Sequence, residues 1–523
     1  MMQLSKQFCR VVLMLAAGLQ LLACNDPKDP QTWIKRLRQP EYAAEAVRRL
    51  RTIGDPVAVP ALCELFKDYP HADILRTVIT FKDPRTVPTL ISALDFDEQT
   101  YHNATLAAQA LAAMGAHEAV PALVRVLEHP LPIKSRANLA KQEAIRALER
   151  LADRAAVPAL IKVVEARPEQ QDFFLNKLAA VALGSFADPA AVPALIRALF
   201  LSSTVQGSLF PQAEVALVQI GAPAVAPLIE ALQGKDEALN ALGKALDFRP
   251  GVIVGKTAIV LGSLRAREAV PVLLERLGLP EASRDTASAG LIEALGKIGD
   301  RRAVPALIAL LTDEEAEQGL RVQATTALML IGDKRALPAL LAMAEKGYLE
   351  GGLWDLRVKA AEAYSGLVGR EAAGGAQVLD AILADQQLSQ AGYKTVRQFF
   401  LSARERTKLA VACGDEVACY AARLGAAGST PAEREKAAVM IGALPDGRGA
   451  LAEVIKALPL RDPVTLRQYL LETVKRLGRA DDVALVAALR QAVERDARLS
   501  PRFLGADLAS LDRIALAVVQ RAR

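Results

Sequence analysis

At 523 residues the chain is too long for one ordinary globular core, so it is either several domains or an extended repeat array. Hydrophobic residues make up 52% of it but aromatics only 4%, an aliphatic composition that favours closely packed helices over strands. With 64 basic against 59 acidic residues the charge is near balance, and nothing calls for a nucleic-acid partner.

The N-terminus places Lys6 and Arg10 ahead of the apolar stretch VVLMLAAGLQLLA, followed at once by Cys24: the charged, hydrophobic and small-residue order of an export signal. Leu21, Leu22 and Ala23 before a cysteine resemble the bacterial lipobox. That resemblance implies that residues 1–23 are a signal peptide, that Cys24 becomes the first mature residue and carries acyl chains, and that residues 24–30 are a short tether. Asn25, not Asp, follows the cysteine, which by the same resemblance points to an outer-membrane lipoprotein facing the periplasm. Beyond this stretch no apolar run reaches the roughly 20 residues needed to cross a bilayer, so the mature chain is expected to be soluble apart from its anchor.

From residue 41 onward one motif recurs: VAVPALCELF, RTVPTLISAL, EAVPALVRVL, AAVPALIKVV, AAVPALIRAL, PAVAPLIEAL, EAVPVLLERL, RAVPALIALL and RALPALLAMA. Its Pro slot falls at 60, 88, 121, 158, 193, 226, 271, 305 and 338, a repeat period of about 33 residues, with Ala226 in the slot of the sixth copy. Each copy reads as two helices. The first ends at a glycine suited to the left-handed conformation, such as Gly54, Gly115, Gly221, Gly299 or Gly332. An Asp-initiated turn follows (Asp55, Asp83, Asp153, Asp188, Asp300, Asp333), and then Pro in the opening turn of the second helix, where a missing N–H costs nothing. Apolar residues two, three and six after the Pro, for example Leu307, Ile308 and Leu311, share one helical face. Longer gaps insert FLSSTVQGSLFP and GKDEALNALGKALDFRPGVIVG between copies.

These motifs resemble the HEAT family, in particular the bacterial HEAT-like repeats found in phycobilin lyases. The resemblance implies an all-α fold, an α-solenoid in which stacked helix pairs form a right-handed superhelix. It assigns 31–345 to a HEAT-repeat solenoid, 346–412 to irregular or divergent repeats, and 413–523 to degenerate repeats anchored at Ala418, Ala452 and Ala484. A helix pair cannot bury its apolar face alone, so only adjacent copies touch.

Chemistry-bearing patterns are few. GVIVGKT, Gly251 to Thr257, has three residues between its glycines where a phosphate-binding loop needs four, and reads as an ordinary helix start. His117-Glu118 is similar to the iron-carrying dyads of deoxyhypusine hydroxylase, but that family needs several and this chain has one, so His117 reads as a solvated turn residue. No nucleophilic triad stands out, and no catalytic residue, metal ligand or cofactor is assigned. Cys63 takes an apolar position filled by Ile in other copies and reads as a buried thiol. Cys413 and Cys419 flank Gly414-Asp415. On one continuous helix their Cα atoms would stand about 9 Å apart, too far for a bridge, but a turn at Gly414 brings them within reach, so a disulfide is expected in an exported protein.

The position four after the Pro slot should point away from the core. It reads Glu64, Ser92, Arg125, Lys162, Arg197, Glu230, Glu275, Ala309 and Ala342. Arg125, Lys162 and Arg197 in consecutive copies form a candidate stripe along an inner, second-helix surface, tempered by Glu128 and Glu165 three residues on. The functional expectation is a membrane-anchored cell-envelope scaffold that binds a protein or peptide partner, with no catalysis and no nucleic acid. Two alternatives stay open: a HEAT-like lyase acting on a protein-bound cofactor, and an envelope assembly factor binding polysaccharide, the latter disfavoured by scarce aromatics.

Overall fold

A computed structural model of the protein describes residues 27–249, 251–279, 286–346, 354–370, 373–460, 464–499 and 508–521. Cys24, the signal stretch and most of KGYLEGGLWD lie outside the described residues. Two compact units follow one another, 1–186 and 187–523.

The repeat grammar builds the same local structure each time. In the first unit the first helices are Ala43–Ile53, Ala72–Thr80, Tyr101–Met114, Asn138–Leu151 and Phe173–Phe186, and the second helices Val59–Asp68, Val87–Ser92, Val120–Glu128 and Val157–Glu165. Gly54 and Gly115 end first helices with φ of 71° and 68°, the left-handed cap in which a Cβ would be strained. The turn that follows is tighter than the sequence implied. A single 3-10 turn, such as Pro56–Ala58 or Arg301–Ala303, stands between the capping Asp and the second helix. Asp55, Asp83, Asp153, Asp188, Asp300 and Asp333 each accept, through Oδ1, the N–H two residues on. The last residue of the 3-10 turn is fully buried in every copy, for example Ala58, Thr86, Ala119 and Ala303, because only a small side chain fits where the turn folds onto its own helix pair. Two residues after the Pro slot, Leu62, Leu90, Leu123, Leu160, Leu195, Leu228, Leu273, Leu307 and Leu340 are all fully buried, which fixes the core face of the second helix.

The second unit continues the pattern from Val192–Ala198 to Leu508–Arg521. The insertion at 200–211 is a short antiparallel hairpin, Ser202–Ser203 against Gly207–Ser208, and that at 234–255 holds an extra helix, Glu237–Ala245, capped by Asp236. Ala418, Ala452 and Ala484, the anchors of the degenerate copies, are each the second residue of their helices, the position Pro occupies in the clear ones.

In both units it is the first helices that pack tightly on one another, while successive second helices touch only lightly. A Cβ on Gly290 would stand 2.3 Å from the Gly255 carbonyl oxygen, so Val252–Leu264 and Thr286–Ile298 are in backbone contact there. The close-packed side of each unit is therefore the first-helix side, and Arg125, Lys162 and Arg197 stand on the second helices away from it. Within the second unit the first helices run in sequence to Val464–Leu477 and Leu508–Arg521, and the latter packs back on Phe210–Ile220 through Val215, Val218, Ile514 and Ala517.

Candidate binding surfaces

The outward register of the second helices is exposed at Glu64, Ser92, Arg125, Lys162, Glu230, Glu275, Ala309 and Ala342, and half-buried at Arg197. Arg125 and Lys162 stand on neighbouring second helices of the first unit, whereas Arg197 belongs to the second. Glu128 lies between the two exposed cations and accepts from Lys162 Nζ at 3.5 Å, across the repeat boundary instead of along its own helix. With both partners largely in water, that pair contributes little and leaves the surface mixed in charge.

Cys413 and Cys419 are bonded, with 2.00 Å between sulfurs and 5.4 Å between Cα atoms. Gly414 ends Lys394–Cys413 with φ +58°, and the Tyr420 hydroxyl, fully buried, donates to the Gly414 carbonyl at 2.9 Å, so the turn is held from both sides. Cys63 is a buried free thiol, and burial raises its pKa. His117 opens an exposed 3-10 turn, its Nδ1 4.0 Å from Asp153 Oδ2. Among the described residues no group of three or more His, Cys, Asp or Glu could hold a metal ion. GVIVGKT opens the helix Val252–Leu264, and Lys256 Nζ donates to the Leu199 carbonyl at 2.8 Å while lying over the rings of Phe200 and Phe210. That lysine is committed to packing the insertion against the repeat.

Two charged features escaped the sequence reading. Between first helices of the second unit, Ser263 Oγ donates to Glu214 Oε1 at 2.7 Å, Lys297 Nζ to Ser263 Oγ at 3.3 Å, and Lys297 pairs with Glu293 at 2.6 Å. Burial raises the pKa of Glu214, against the pull of Lys297 and Ser263. Burial alone would depress Lys297, but the carboxylates of Glu293 and Glu214 more than reverse it and its pKa is raised. Nearby, Lys475 pairs with Glu472, and Arg476 is lowered to about 10, chiefly by burial and then by the charge of Arg265. The network joins Phe210–Ile220, Val252–Leu264 and Thr286–Ile298 through hydrogen bonds and an ion pair; its chemical use is cohesion.

The second feature is a D-x-R turn. In Asp83/Arg85, Asp300/Arg302 and Asp333/Arg335 the arginine binds the capping carboxylate of its own turn and also donates to a carbonyl of the preceding turn: Pro56 at 3.0 Å, Arg267 at 3.2 Å and Arg301 at 3.0 Å. The arginine hydrogen bonds hold Asp83 down at about 2 and lower Asp300 and Asp333. A D-x-R at fixed register was a readable signal for this brace.

Comparison with known proteins follows the same segments. Residues 43–68, 106–129, 140–166 and 178–200 match the PBS lyase HEAT-like repeat, and residues 283–350 match HEAT repeats. These stretches are HEAT repeats. No curated protein matches the chain. Among solved structures, the chain is similar to the complex of CpcE and CpcF of phycocyanin lyase from Nostoc sp., at 20% identity over 61% of this chain and 94% of that one, TM-score 0.22. It is similar to importin beta at 14% identity over 94% of this chain and 79% of that one, TM-score 0.40. It is also similar to human deoxyhypusine hydroxylase, at 21% identity over 54% and 96%, TM-score 0.21.

Proposed function

We propose that the protein is a membrane-tethered scaffold of the cell envelope, which holds a protein or peptide partner on its HEAT repeats and performs no chemistry of its own. The observation that carries the reading is the shared outward register of the second helices. Eight of the nine clear copies present an exposed side chain four residues after the Pro slot, Arg197 being half-buried, so a partner can be read over many copies. The tether rests on Leu21 to Cys24, and the outer membrane, facing the periplasm, is the proposed location.

A photo-crosslinking residue placed at Ser92 or Glu230, in protein expressed with its signal, should trap one defined protein in the membrane fraction. Combined Arg125→Glu and Lys162→Glu should weaken that capture most at low salt, because exposed charges are screened beyond roughly 10 Å at 0.1 M. Capture of nothing at any outward position would overturn the scaffold reading. Cys24→Ser should move the protein to the soluble fraction; continued membrane association with cleavage elsewhere would overturn the tether alone.

A further inference from the structure

The N-terminal end of the first unit carries a local excess of positive charge. Between residues 27 and 54 there are seven Lys or Arg against three Asp or Glu, an excess of four in a chain whose whole net charge is +5. Lys35, Arg38, Arg48 and Arg51, all exposed, line the Pro30–Arg36 and Ala43–Ile53 side of a cleft whose other side, Val59–Asp68 and Ala72–Thr80, carries Glu64, Asp68 and Asp73, with Glu64 and Asp73 paired to Lys67 and Arg76. Arg48 lies 3.7 Å from Glu45; Lys35, Arg38 and Arg51 make no ion pair with any described residue. Aromatic rings sit among these cations. Arg36 lies over Trp33 at 4.8 Å and near Tyr42 at 5.5 Å, and Tyr42 is 46% exposed.

The chain that leads here from Cys24 is fastened to this same end. Trp33 is buried, and its Nε1 donates to the Pro27 carbonyl at 2.9 Å, which pins residue 27 against the first helix. Asp29 then caps that helix, accepting from the N–H groups of Gln31 and Thr32. Three residues separate Pro27 from Cys24, and at about 3.3–3.6 Å per extended residue they reach roughly 10 Å. That is about one screening length at physiological salt. A lipid on Cys24 therefore brings this cationic end into the field of the headgroups.

We propose that this end is itself a membrane contact: Lys35, Arg38, Arg48 and Arg51 rest on anionic phospholipid headgroups, with Tyr42 at the headgroup level. The inference deepens the membrane reading above but does not need Cys24 to be acylated, and the test separates the two. Purified full-length protein carrying Cys24→Ser is sedimented with vesicles of phosphatidylcholine alone or with phosphatidylglycerol added, at low and high salt. Binding to the anionic vesicles only, lost at high salt, is expected. Lys35→Glu, Arg38→Glu and Arg51→Glu together should weaken it about tenfold or more, and the milder Gln versions should weaken it less, with the helical circular dichroism unchanged. Arg125→Glu with Lys162→Glu should leave it intact. Equal binding to neutral vesicles, or indifference to the Glu and Gln variants, overturns the proposal; so does capture of polyglutamate in preference to anionic vesicles, which would assign the patch to an acidic protein. If Cys24→Ser protein with the patch intact binds no vesicles while protein with Cys24 remains in the membrane fraction, the anchor stands and the headgroup contact falls.

Discussion

Arg85 Nη2 donates to the Pro56 carbonyl, 3.0 Å away and one repeat earlier, while the same guanidinium grips Asp83 in its own turn. One planar fork thereby ties a cap to the turn below it, and the arrangement returns at Arg302 and Arg335. In the Arg335 copy, Asp333→Ala should lower stability by about 1 kcal/mol through the lost cap. Arg335→Ala should cost less, because its side chain is 58% exposed, and Arg335→Lys should not restore it, since an ammonium has no fork. Urea denaturation of the three variants orders them; a lysine variant as stable as the parent would remove the brace.

These carboxylates also set an acid limit. A carboxyl held below its unfolded value contributes stability that is present above the unfolded pKa and is lost as the pH falls through the folded one. For Asp83 the two values are 3.8 and about 2. Asp300 and Asp333 are lowered in the same direction by Arg302 and Arg335. Replacing all three with Asn keeps a capping side chain and removes the charge. The variant should be less stable than the parent at neutral pH, with the gap narrowing below pH 3.8 and closing near pH 2. A gap independent of pH would show that charge plays no part.

The Cys413–Cys419 bond closes a short loop around Gly414. In the chain-entropy account it should stabilise the second unit by about 2–3 kcal/mol, and Cys413→Ser with Cys419→Ser should lose that amount. Tyr420→Phe should cost less, since it removes one buried hydrogen bond to the same turn. Non-reducing alkylation of denatured protein should label Cys63 and neither Cys413 nor Cys419; label on both would refute the bridge.

How much of this could be read in advance depended on whether the determinant was local. Caps, turns and core positions such as Asp55, Gly54 and Leu62 are dictated within a few residues of each other, and even Ala418 and Ala452, lacking the proline, kept their helical position. The close-packed side was not legible, because both helices of a pair carry apolar stripes and the repeat motif quoted most often belongs to the second one. Gly255, Gly262, Gly290 and Gly296 were its signal: glycines inside helices mark close backbone approach. The return of Leu508–Arg521 onto Phe210–Ile220 has no local signature at all, since its partners are separated by most of the second unit. For the binding surfaces, the outward register was legible and the pairing of Lys162 with Glu128 across repeats was not, because stacking decides it.

A buried ion pair fastens the same final helix to its neighbour Val464–Leu477. Arg467 on Val464–Leu477 binds Asp512 on the final helix, with side chains 2% and 0% exposed, and also donates to the Leu458 carbonyl. Taking both charges out of water costs several kcal/mol, which only their mutual attraction and the added hydrogen bond offset, so the pair specifies the docking of the helix more than it strengthens it. Arg467→Met should leave the Asp512 charge stranded and destabilise by about 3–5 kcal/mol, whereas Arg467→Met with Asp512→Leu should recover most of the loss. Because the two units need not unfold together, hydrogen exchange is the better reading than a single transition. In Arg467→Met, amides of Leu508–Arg521 and of Phe210–Ile220 should lose protection together, while those of Ala43–Ile53 and Asn138–Leu151 stay as they were. Loss of protection in the final helix alone, with Phe210–Ile220 unaffected, would show that the helix does not hold the two ends of the unit together.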